Sequence, residues 1–187
     1  MRNYLSLLFF IIVGSANATE KVLTPCPNKN IEVVVWTNEN PSMGGTVIFR
    51  DKPSGRKIGS FDLGGYSSYA EILWSPDGSY IALETQQMNH GYELFVFRVI
   101  ADWIKQVKIQ DYIQNIYGRH GVLRGGGRWA NEPLKWVSND RLLISARGTL
   151  ATSGDTGYNY EVEVRIAPFE DDFIGWLEKI TPVKQNE

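Results

Sequence analysis

Trp74–Leu83 reads W-S-P-D-G-S-Y-I-A-L, and this stretch decides the fold class. A bulky aromatic closes a short apolar run (Ala70–Trp74). Pro-Asp-Gly supplies turn chemistry, and Tyr80–Thr85 resumes with apolar residues at alternate positions. That is a strand, a tight turn and an antiparallel strand. Working outward, Tyr92–Val99 continues the pattern after a loop. Upstream, Ile31–Trp36, Gly45–Arg50 and Lys57–Phe61 are short β-type runs, the last two separated by the turn Asp51–Arg56, D-K-P-S-G-R. Downstream come Leu134–Trp136, a Ser-Asn-Asp turn, Arg141–Ala146, a long Gly-containing loop and Tyr158–Ile166. The expectation is an all-β chain.

Two rounds of this pattern match in order. Trp74 and Trp136 each end an apolar strand and precede a polar turn. Ile81-Ala82-Leu83 corresponds to Leu142-Leu143-Ile144, Tyr92-Glu93 to Tyr160-Glu161, and Trp103-Ile104 to Trp176-Leu177. Ordered self-similarity is the mark of a repeat architecture. Trp74–Leu83 resembles the strand–turn–strand signature of TolB-like, WD-type β-propeller blades, and Trp136–Ser145 is a degraded copy without Pro or Gly. The resemblance implies about three blade-like units in an open, partial propeller, the first unit lacking a recognisable first strand. Since such blades close rings in sets of four to eight, it also implies an oligomer as one way to complete a ring. Two segments depart from the strand pattern. Asp111–Tyr117 reads as a short helix with Asp111 as its cap, while Phe173, Trp176, Leu177 and Ile180 fit a helical face and a strand equally.

The first residues carry a different message. Arg2 precedes the apolar run Leu5–Val13, which is too short for a membrane span, and Ala16-Asn17-Ala18 offers the small residues of a cleavage site. Residues 1–18 therefore read as a signal peptide, with a single domain over 19–187 in the periplasm or secreted. No second long apolar run follows, so no membrane span is expected after its removal. Cys26 is the one cysteine and cannot close an intrachain bridge, so the core must carry stability. A formal net charge of −2 and the lack of a basic run argue against nucleic acid as a partner.

Blade topology places the long loops Thr37–Gly44, Leu63–Tyr69, Gln86–Gly91, Gly118–Pro133 and Arg147–Gly157 on one face, where binding residues tend to be held on a rigid scaffold. Gly118–Glu132 is the most unusual of them, with Arg119, His120, Arg124, the run Gly125-Gly126-Gly127, Arg128 and Trp129. Guanidinium forks and an indole anchor suit a protein partner. His90 and Arg147 fall in the neighbouring loops, completing the set of candidate partner-binding residues. A phosphate cradle is excluded because no helix or G-K-[ST] follows the glycines. Neither His90 nor His120 has carboxylate or cysteine ligands at metal spacing, so neither a metal nor another cofactor is expected. No G-x-S-x-G or H-E-x-x-H motif is present, so no catalytic residue is assigned. Trp36, Trp74, Trp103, Trp136 and Trp176 lie in strand or repeat positions and are expected to pack.

The resulting expectation is a non-enzymatic, exported protein-binding module. Its concrete form is an inhibitor or immunity protein that blocks a periplasmic cell-wall hydrolase through the Gly/Arg/Trp loop. The alternatives are a lectin-like or peptidoglycan-binding module acting as an oligomer, and an uncharacterised hydrolase.

Overall fold

A computed structural model describes residues 19–27, 29–37, 44–63, 70–87, 91–100, 103–121, 129–150 and 157–183. The proposed signal segment 1–18 lies outside them. Among the described residues no helix is long and apolar enough to cross a membrane.

Among the described residues the chain is all-β with one short helix. Strands β1 (Thr19–Val22), β2 (Ile31–Thr37), β3 (Gly45–Asp51) and β4 (Lys57–Asp62) form a four-stranded antiparallel sheet in chain order. The first unit thus has a first strand, which begins at Thr19. Strands β5 (Ala70–Trp74), β6 (Tyr80–Gln87), β7 (Gly91–Ile100) and β8 (Trp103–Ile109) form a second antiparallel run. After helix α1 (Tyr112–Arg119), strands β9 (Trp129–Trp136), β10 (Arg141–Thr149), β11 (Gly157–Phe169) and β12 (Asp172–Pro182) form a third.

These sheets are not propeller blades. The second and third runs join edge to edge, through parallel pairing of Ile174 with Lys108 and Gly175 with Ile109, and of Gly91 with Trp129 and Tyr92 with Ala130. The ring β7-β8-β12-β11-β10-β9 closes a six-stranded barrel, from which β6 and β5 extend. This overturns the expected open propeller, and with it the argument that an oligomer is needed to complete a ring. The physical reason is that W-S-P-D-G specifies a hairpin and its local turn, not the way one sheet meets the next. Closure removes the sheet edges that an open array leaves unpaired.

Alternation on β10 and β11 aims Leu142, Ile144, Ala146, Tyr158, Tyr160, Val162, Val164 and Ile166 into the barrel, where they form its core with Val96 and Val107. The outer face of β5–β8 is equally apolar, because the first sheet packs on it. Phe49 and Phe61 meet Phe97 at 5.5 and 5.1 Å, and Phe61 meets Phe95 at 4.6 Å. β5–β8 is therefore buried on both faces, as the fully buried Ile81, Ala82 and Leu83 show. Cys26 is a free thiol buried in this second core. Gly175 is required at the β8–β12 seam, since a Cβ there would sit 2.8 Å from Val164 Cγ1.

Phe173–Ile180 is strand throughout. The register shift between Glu163 and Val164 leaves Glu178 unopposed on β12. That bulge separates the inward Leu177 and Ile180 by three positions and so imitates helical spacing. Asp111–Tyr117 is helical as expected: the Asp111 carboxylate accepts from Gln114 N at 3.1 Å, and Tyr112, Ile116 and Tyr117 are buried. The tryptophans divide. Trp74 is buried and Trp136 half-buried, whereas Trp36, Trp103 and Trp176 are 45%, 43% and 42% exposed, contrary to the packing expected of them.

Candidate binding surface at one barrel end

Strand pairing sets the anchor points of three loops side by side. Gln87 opposes Gly91, Gly91 pairs with Trp129, Trp129 with Gly148, and Thr149 with Gly157. The strand ends that border segments 88–90, 122–128 and 151–156 therefore lie together at one end of the barrel. The parallel β7–β9 pairing is what brings the first of these anchors next to the others. His90, Arg124 and Arg128 fall within these segments and lie outside the described residues; so does the side chain of Trp129, whose backbone opens β9.

Helix α1 packs across the same end. Tyr117 meets Tyr158 edge-to-face at 6.0 Å, and His120, the C-cap, places Nε2 3.0 Å from the Tyr160 hydroxyl. Tyr158 and Tyr160 both face into the barrel opposite the small residues Gly148 and Ala146. Burial, together with the neighbouring Tyr117, pushes the Tyr158 phenol up from its ordinary value. His120 is thus a seat for the helix. The group against it is a phenol, not the serine or carboxylate that a hydrolytic set would need. Arg119 is exposed in the last helical turn, where its charge opposes the negative end of the helix dipole. It makes no ion pair among the described residues.

Arg147 stands on the outer face and is not a free fork: its Nη2 pairs with Glu132 Oε1. Around this pair lie carboxylates that the sequence reading passed over. Glu71 and Glu84 oppose each other across β5 and β6. Burial, then Glu132 and Glu71, raise the Glu84 carboxyl to about 7 against the pull of Arg147. The signal was available: a hairpin turning at Pro76-Asp77-Gly78 with Trp74 opposite Ile81 necessarily brings Glu71 opposite Glu84. Asn131, beside Glu132 in the chain, is buried, and its Oδ1 has no hydrogen-bond partner among the described residues. Among the described residues no group of three His, Cys, Asp or Glu side chains is arranged to hold a metal ion.

Chemically, this end offers exposed and half-exposed guanidinium groups, a tyrosine–histidine contact, and a patch of three carboxylates around one arginine. Such groups can form ion pairs and charge-assisted hydrogen bonds. No protein-family model, curated protein or solved structure matches the chain.

Proposed function

We propose that this chain is an exported, non-enzymatic module that binds a protein partner through the barrel end bearing α1 and the three loop anchors. The observation that supports the reading is the adjacency of Gly91, Trp129, Gly148, Thr149 and Gly157 on neighbouring strands. A closed barrel is a rigid frame, and the strand ends bordering 88–90, 122–128 and 151–156 are held together at one end of it. Arg124, Arg128 and Trp129, in or beside the longest segment, are the residue types that dominate protein interfaces. The partner class is a periplasmic cell-wall-acting enzyme, with the module as its inhibitor or immunity protein.

Pull-down from periplasmic extract tests this reading, using the intact mature chain and a variant with 122–128 replaced by a Gly-Ser linker of equal length. The reading predicts loss of the specifically recovered protein from the variant. Equal recovery by both forms rejects it.

A second reading, a cell-wall glycan-binding module, is favoured by the exposure of Trp36 and Trp103, whose indole faces are not used in either core. Co-sedimentation with purified sacculi that Trp36→Ala and Trp103→Ala abolish would select it over protein binding.

A further inference from the structure

The opposite end of the barrel carries a feature that the loop-end surface does not use. Phe169 and Trp176, on the outer face of the β11–β12 hairpin, are 46% and 42% exposed, and their rings meet at 5.8 Å and 76°. Beside them is a depression of about 240 Å³ lined by Lys108, Phe169, Glu170, Asp171, Asp172 and Ile174. It lies beside the place where β12 pairs with β8 through Ile174 and Gly175. The hairpin tip is well held. Glu170 takes a left-handed backbone conformation (φ 51°), Lys105 donates to the Asp171 carbonyl, and Asp172 pairs with Lys105 at 3.0 Å and Lys108 at 3.2 Å.

The charges at this tip are unevenly matched. Asp172 binds two lysines, and Arg165 pairs with Asp140 at 3.3 Å. The Glu170 and Asp171 carboxylates have no ionic or hydrogen-bonding partner among the described residues. Two uncommitted carboxylates thus share the depression with Phe169, whose ring meets that of Trp176.

We propose that this corner is a docking site for an extended basic segment of another protein, one lysine or arginine of which lies along Phe169 and Trp176 with its charge at Glu170 and Asp171. Long cationic side chains bury an apolar stem and keep the head polar, and ring faces attract the cation. The geometry favours this occupant over a sugar. A pyranose needs one open, flat indole face, whereas two rings at 76° form two walls that fit a narrow methylene stem.

Fluorescence polarisation of a labelled, acetylated (Arg-Val)₃ peptide with the mature chain is the test, with (Glu-Val)₃ and an N-acetylglucosamine tetramer as comparison ligands. Saturable binding of the arginine peptide alone is expected, weakened about fivefold or more by Trp176→Ala and by Glu170→Gln combined with Asp171→Asn. Both changes are at exposed positions, and unchanged melting curves would show that the variants fold. The proposal is overturned if the arginine peptide does not bind, if (Glu-Val)₃ binds equally, or if folded variants bind like the parent. It is also overturned if the saccharide binds and displaces the peptide.

Discussion

The Trp136 indole donates its Nε1–H to the main-chain carbonyl of Leu73 at 3.0 Å, tying the last residue of β9 to β5. Trp74, its counterpart one repeat earlier, does the same to Thr24 in the unit before it, at 2.9 Å. Each repeat tryptophan is thus a staple to the preceding unit, and the sequence symmetry between them is a symmetry of hydrogen bonding. Trp136→Phe keeps a ring against Tyr80, now stacked at 5.7 Å, but leaves the Leu73 carbonyl without that donor. Urea unfolding should show a loss of about 1 kcal/mol. An unchanged midpoint would mean that the indole N–H contributes nothing.

Gly175→Ala tests the seam that closes the barrel. The added methyl would meet Val164 Cγ1 at 2.8 Å and Ile109 Cγ1 at 3.2 Å, both in the packed interior. Overpacking of this kind costs about 1–3 kcal/mol. Gly59→Ala, at 3.1 Å from Ile104 Cβ between the first sheet and the barrel, should cost less. Thermal melts of the two variants would rank them.

Glu84 gives the stability a pH dependence of definite sign. Its carboxyl is raised to about 7 in the folded chain, first by burial and then by Glu132 and Glu71. The folded state therefore holds its proton more tightly than the unfolded one. The contribution of Glu84 to stability is fully present below the ordinary carboxylate range and is lost as pH rises through about 7. Glu84→Gln should remove that fall. The difference at pH 8 is on the order of 1 kcal/mol once solvent screening is allowed for, or a few degrees in Tm. Parallel Tm profiles from pH 5 to 8 for parent and variant would contradict this.

The seat of α1 depends on its cap. Asp111→Ala removes the acceptor for Gln114 N and should cost about 1 kcal/mol. Because α1 ends at the His120–Tyr160 contact, faster amide exchange should appear in 112–119 and not in β3 or β4. Uniform acceleration across the chain would point instead to global destabilisation.

What the sequence made legible was local. The turn at Pro76-Asp77-Gly78 is held by Asp77, which accepts from Ser75 Oγ at 2.8 Å and Ser79 N at 2.9 Å. Its degraded counterpart keeps the equivalent Ser138–Asp140 bond at 2.7 Å. Such turns announce their strands, as Asp111 announces its helix. Barrel closure was not legible, because it rests on two parallel pairings of two residues each between strands far apart in the chain. β1 was missed because T-E-K-V has no apolar alternation, and its role as a strand comes from pairing with β2. At the candidate surface, Arg119, His120 and Arg147 were singled out by residue type. Their partners, Tyr160 and Glu132, were not, because those contacts follow from cross-strand register. The exposed Trp176 was misassigned to packing because strand alternation sends it to the face opposite the inward Leu177.

The parallel contact between β7 and β9 both closes the barrel and gathers the strand ends of the candidate surface. Nuclear Overhauser spectroscopy of the isotopically labelled mature chain reads it directly. Cross-strand contacts between the backbone protons of Gly91–Tyr92 and Trp129–Ala130 are predicted. Their absence, with the β5–β8 and β9–β12 contacts intact, would contradict it.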